Sequence, residues 1–177
     1  GRENDSREDL PKPALAGRLD LDLRLKGRLS AAVVAVDLGL SGLAVDGARV
    51  GDLALKAGLT PRRAEVDLAL SDGPARRIAL TAALPVQANL AAGVVTPVLT
   101  RDGRLDLRLT GVSHPWLGPV AKLPEHVAFQ VDGTLHAEGR AGAWTGTAKL
   151  AGEAGAGPLK PAPFTLGLEV APTRQQV

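Results

Sequence analysis

Gly17-Arg18-Leu19-Asp20-Leu21-Asp22-Leu23-Arg24-Leu25-Lys26-Gly27 alternates leucine with charge along its whole length. Leu19, Leu21, Leu23 and Leu25 share one parity, while Arg18, Asp20, Asp22, Arg24 and Lys26 share the other. Successive side chains of a strand point to opposite faces, so this segment forms a strand with one aliphatic and one charged face. As a helix it would scatter the same leucines around a cylinder and bury nothing coherent. Residues 103–111, Gly-Arg-Leu-Asp-Leu-Arg-Leu-Thr-Gly, repeat the pattern, with Leu105, Leu107 and Leu109 on one parity. A long one-sided β-sheet follows as the central expectation.

The rest of the chain extends it. Ala32, Val34, Val36, Leu38 and Leu40 occupy even positions; at Gly42 the parity slips and Leu43 and Val45 take over, which a β-bulge explains. Asp46-Gly47 is a hairpin turn signal. Val50, Leu53 and Leu55 precede a turn at Thr60-Pro61. Val66, Leu68 and Leu70 precede one at Asp72-Gly73-Pro74, and Ile78, Leu80, Ala82 and Leu84 follow. Turn chemistry at this spacing predicts a meander of antiparallel neighbours. Pro85 and Pro97 make residues 86–100 edge strands or loops.

Residues 113–124, Ser-His-Pro-Trp-Leu-Gly-Pro-Val-Ala-Lys-Leu-Pro, interrupt the alternation. Trp116, Val120 and Leu123 have helical spacing, Ser113 suits an N-cap and Pro115 a first turn, whereas Pro119 shortens or breaks the helix. Val127, Phe129, Val131, Leu135 and Ala137 restore strict alternation. Parity survives Asp132-Gly133, which reads as a bulge rather than a turn. Trp144, Ala148 and Leu150 form a strand, residues 152–163 a Gly/Ala/Pro loop, and Phe164, Leu166, Leu168 and Val170 the last strand. The expected organisation is all-β: a linker or frayed start at 1–14, a single module at 15–171 and a frayed tail at 172–177.

Composition bounds the function. The chain has 177 residues, 23% charged and 45% hydrophobic, which places it among folded proteins. It has no methionine, as expected of a processed product or an excised piece. It has no cysteine either, which excludes a disulfide scaffold and cysteine catalysis. Net charge is only +2, with Arg62-Arg63 and Arg76-Arg77 the sole paired arginines; these read as solvated turn residues, and nucleic acid is not an expected partner. No segment has the length of apolar sequence a membrane helix needs, and the start is unlike a signal peptide.

No enzyme constellation stands out, and no cofactor or metal is expected. His114, His126 and His136 are the only histidines. Glu125-His126 and His136-x-Glu138 match no ligand spacing, and His136 shares the polar parity with Gln130, Asp132 and Thr134, so it reads as a solvated side chain. Ser113-His114 lacks a nucleophile-elbow context. The glycines of 152–158 lack a P-loop lysine. Asp20, Asp22 and Asp106 interleave with Arg24 and Arg108, which predicts exposed cross-strand ion pairs.

The order of segments resembles a known family. Residues 103–110, the Pro/Trp-bearing interruption, Val131-Asp132-Gly133-Thr134-Leu135 and Gly146-Thr147-Ala148-Lys149-Leu150-Ala151-Gly152 together resemble the TamB and wider AsmA-like proteins, over most of 15–170. That resemblance implies a long antiparallel sheet curled into an open trough, a β-taco, with an apolar concave face. It also implies a periplasmic module of a larger, inner-membrane-anchored protein and a TamA-type outer-membrane barrel as a partner of the parent. The implied work is moving phospholipid between membranes and assembling barrel proteins. The family's inner-membrane helix and C-terminal tail are not recognisable here, so the chain fits an internal module.

On this basis the expected lipid-contacting positions are Leu19, Leu21, Leu23, Leu25, Val34, Val36, Leu38, Leu53, Leu55, Val66, Leu68, Leu70, Ile78, Leu80, Leu105, Leu107, Leu109, Val127, Phe129, Val131, Leu135, Leu166 and Leu168, with Trp116, Leu117 and Val120 as plug or rim. Phospholipid acyl chains are the expected ligand. Burying the ~14 methylenes of a sixteen-carbon chain at ~0.8 kcal/mol each gives roughly 11 kcal/mol gross, without directional bonds that would hinder sliding. The headgroup must stay in water. Two alternatives stay open: a groove or edge that takes β-strands of client proteins or a partner, and a structural β-sandwich repeat whose apolar faces fill each other. An open sheet has free edges, so edge-to-edge self-association is also expected.

Overall fold

The structure is a computed structural model that describes residues 14–28, 31–98, 100–121, 123–140 and 142–171. Residues 1–13 of the linker expected at 1–14, and the tail at 172–177, lie outside the described residues.

Ten strands and one short helix follow one another: β1 (Leu15–Lys26), β2 (Val33–Val45), β3 (Ala48–Leu59), β4 (Arg63–Asp72), β5 (Ala75–Asn89), β6 (Val94–Pro97), β7 (Gly103–Ser113), α1 (His114–Ala121), β8 (Val127–Arg140), β9 (Ala143–Ala156) and β10 (Ala162–Val170). All pairings are antiparallel between sequence neighbours, except that β5 passes over the short β6 to pair with β7. The order is β1-β2-β3-β4-β5-β7-β8-β9-β10, with β6 attached to β5. β1 and β10 do not pair, so the sheet is not closed into a barrel. It is also not a sandwich: the described strands form one continuous sheet plus the β5–β6 ribbon.

Turn and bulge chemistry set the register. Asp46 (φ 50°) and Gly47 (φ 80°) close the β2–β3 hairpin in the left-handed conformation that two-residue turns require. The parity slip at Gly42 is a bulge: the β2–β3 pairing shifts between Leu40 and Leu43, and Gly42 has φ 63°.

Other expectations need correction. Asp132-Gly133 is not a bulge, since β8 pairs with β9 without a break from Val127 to Arg140. The extra residue lies across the ladder in β7, between Leu109 and Val112, where Gly111 has φ 55°. Pro85 does not end β5. The amide groups of Val86 and Ala88 donate to the Arg62 and Pro61 carbonyls, so the imide of Pro85 faces the other side, where the β7 ladder has already ended at Ala83. The loop expected from residue 152 begins only after Ala156. In β9, Gly152, Ala154 and Ala156 stand opposite Val131, Phe129 and Val127, so small residues there match large ones on β8.

Few side chains are buried. Val50, Val112 and Trp116 form a small core, against which Leu43, Val45, Leu70, Ile78, Leu109, Leu117 and Phe129 pack. α1 begins directly after β7 at His114 and lays Trp116 over this cluster. The indole Nε1 donates to the Val50 carbonyl at 2.7 Å.

Candidate functional site: an uncovered aliphatic face

The register turns local alternation into a continuous surface. Following directly paired residues across the sheet gives Leu21, Leu38, Leu55, Leu68, Leu80, Leu107, Leu135, Ala148 and Leu168. The next row toward α1 is Leu19, Leu40, Leu53, Leu70, Ile78, Leu109, Gly133, Leu150 and Leu166. On the other side lie Leu23, Val36, Ala57, Val66, Ala82, Leu105 and Ala137, and beyond them Leu25, Val34 and Leu59. Directly opposed residues share a face, so these rows form one aliphatic wall. For its three long rows, about eight inter-strand spacings by four residues of rise make it roughly 40 Å by 13 Å, on the order of 500 Å² and at the upper end for a monomer surface patch.

Every strand residue expected at the site lies on this wall, and none of them is fully buried. Those on the inner strands are half-buried, and those on β1 and β10 are open: Leu21 is 55% exposed and Leu168 63%. Val127, Phe129 and Val131 continue the wall along β8, with Phe129 packed against the core that includes Trp116. Leu40, Leu59 and Leu150, absent from the expected set, belong to it by the same pairings; strand parity was enough to find them. A depression of about 240 Å³ lies between Leu107, Leu109, Leu135, Leu150, Leu166 and Leu168, with almost no polar lining.

The two ends of the wall differ. At one, Trp116 is buried and Leu117 half-buried in the cluster against which Leu70, Ile78 and Leu109, neighbours in one row, pack. The side chain of Val120 lies outside the described residues. At the other, the Trp144 indole covers Gly103 and Gly139, where an added methyl group would collide with it.

The opposite face carries charge, arranged differently from expectation. Most ion pairs join residues two apart on one strand: Arg24 to Asp22 at 2.5 Å, Arg63 to Glu65 at 2.7 Å and Arg140 to Glu138 at 2.8 Å. Asp106 pairs with Arg104 rather than Arg108, and across the ladder with His136 Nδ1 at 2.7 Å. The hydrogen bonds from Arg104 and then His136 hold the Asp106 carboxyl below its ordinary pKa. Hydrogen bonds to acids raise the guanidinium pKa of Arg24, Arg104 and Arg140. His114 Nε2 bonds the Pro124 carbonyl at 3.1 Å, and its ring meets Phe129 edge-on.

Arg77 was missed. It is the extra residue where the β4–β5 register shifts, and its side chain is 26% exposed rather than solvated. Its Nη1 donates to the Gly111 carbonyl at 2.9 Å, and its Nη2 reaches Asp72 at 3.4 Å. Arg76, beside it, is exposed.

No helix among the described residues is long and apolar enough to cross a membrane. No protein-family model, curated protein or solved structure matches the chain.

Proposed function

We propose that the aliphatic wall shelters the acyl chains of phospholipids, as a β-groove module of a TamB/AsmA-like envelope protein in the periplasm. The observation that carries the reading is the uncovered row from Leu21 to Leu168: one aliphatic side chain per strand across nine strands, with no second layer over it among the described residues. Water against so large an apolar surface is unfavourable, and a bound acyl chain removes it non-directionally. Curling of the sheet into a trough brings two sides of the wall onto one chain, while the open side leaves the headgroup hydrated. The charged outer face, with its ion pairs, keeps the module in water.

Against the sandwich alternative stands that no partner sheet fills the wall among the described residues. Lipid extraction tests the proposal. The chain, mixed with vesicles containing a trace of acyl-labelled phosphatidylcholine, should remove label into the soluble fraction in proportion to protein. Label that stays with the vesicles at all protein concentrations contradicts it.

A further inference from the structure

The two flanks of the sheet are built differently. β10 carries Pro163 near its start and Gly167 in its middle. β1 contains no proline, and from Arg18 to Lys26 it pairs with β2 without a shift. Among the described residues it pairs with β2 alone, so its outer edge presents unsatisfied backbone donors and acceptors. Such an edge is normally guarded by proline, a bulge or a charge turned toward the apolar side. Between Arg18 and Lys26, β1 has none of these; its charges all stand on the polar face.

The order of those charges identifies what the edge accepts. Turned end for end against itself about Leu23, β1 sets Asp22 opposite Arg24 and Asp20 opposite Lys26, each pair occurring twice. On the aliphatic side, Leu23 meets Leu23 and Leu21 meets Leu25. Moving the axis to Asp22 or Arg24 sets like charges against each other at the axis. Moving it to Leu21 opposes Arg18 with Arg24 and Asp20 with Asp22. One antiparallel register therefore sets Asp20, Asp22, Arg24 and Lys26 each against opposite charge, with only Arg18 left at the end, beyond which its partner strand has stopped, and the neighbouring registers do not. β10 has no such code, with Glu169 its only charge. β1 and β10 run in the same direction in the sheet, so joining them between translated copies would need the weaker parallel pairing.

We propose that a second copy of this chain pairs with β1 along its free edge, antiparallel and in the register centred on Leu23. The product is an isologous dimer in which the sheet crosses the two-fold axis and the leucines of both copies line one face.

The chain has no cysteine, so single cysteines report the register without background. Leu19, Leu21, Leu23 and Leu25 are 61%, 55%, 63% and 57% exposed, and cysteine at any of them leaves the packing intact. Residues directly opposed across antiparallel strands have Cα atoms about 4.5–5.5 Å apart, within disulfide range. Under mild oxidation L23C should convert to a covalent dimer, while L19C, L21C and L25C stay monomeric on a denaturing gel. In sedimentation, Asp22→Arg should shift the dimer to monomer, and Asp22→Arg with Arg24→Asp should restore it, with circular dichroism unchanged throughout. A monomeric wild type at all concentrations overturns the proposal. So does equal crosslinking at all four positions, which marks face-to-face association, crosslinking centred on another residue, or a charge reversal without effect.

Discussion

The backbone N–H of Gly111 donates to Asp132 Oδ1 across the β7–β8 ladder at 2.8 Å. The same device recurs at Gly42, whose N–H donates to Asp52 Oδ1 on the next strand at 2.7 Å. In both places an extra residue in the left-handed conformation leaves the ladder, and a neighbouring carboxylate satisfies the amide it frees. The consequence is parity. Leu40 and Leu43, like Leu109 and Val112, are three apart and would fall on opposite faces of a regular strand. The bulges turn both members of each pair toward the aliphatic side, where Val112 joins Val50 and Trp116 in the core and Leu43 and Leu109 pack against it.

Removing the carboxylate should therefore destabilise the fold without changing its face. Asp132→Ala is expected to cost about 1 kcal/mol, and Asp132→Asn, which keeps an acceptor, clearly less. Gly111→Ala should cost about 1–2 kcal/mol because φ 55° is strained for a residue with a Cβ. Urea unfolding of the three variants measures this.

Trp116 ties α1 to a strand distant in sequence. Trp116→Phe should lose about 1 kcal/mol, since the Val50 carbonyl is left without its donor. Trp116→Ala should lose about 3 kcal/mol, adding a cavity among Val50, Val112 and Leu117. Denaturant midpoints followed by circular dichroism distinguish the two losses.

The strands and their faces were legible because leucine parity is a local signal, and register converts it directly into a wall. Gly42 was legible as a bulge because hydrophobic residues flank it on both parities. The bulge at Gly111 was not: only Val112 follows it before the helix, too short a run to show a slip. Arg77 reads as a solvated turn residue until pairing with β7 brings the Gly111 carbonyl beside it. The ion pairs were expected between strands, but long arginine side chains reach their own i±2 neighbours first, as Arg104 does to Asp106. What covers the wall is not written in parity at all, since a packed core and an open face need the same alternation.

The Asp106 pairing sets a pH dependence. Its folded pKa lies below the unfolded value, so its contribution is present above about pH 4 and is lost as pH falls through the folded pKa. Asp106→Asn should lower stability by less than about 1 kcal/mol at pH 7, as partly exposed pairs do, and the gap to wild type should narrow toward about pH 2. Urea titrations at both pH values measure it.

A charge placed on the wall separates an open face from a filled core. Leu107 is half-buried between Leu80 and Leu135. Leu107→Arg should keep the fold, losing less than about 2 kcal/mol, because the guanidinium can extend to water across an uncovered surface. In a filled core the same change would leave an unpaired buried charge and cost about 3–5 kcal/mol. Thermal unfolding of the variant gives the answer.

The most direct test of the central claim is native mass spectrometry of the chain after exposure to phospholipid and repurification. The wild type should retain adducts with the mass of intact phospholipid, and folded Leu107→Arg should lose most of them. A wild type that carries no lipid, or a Leu107→Arg variant that carries as much, contradicts acyl-chain binding on the Leu21-to-Leu168 wall.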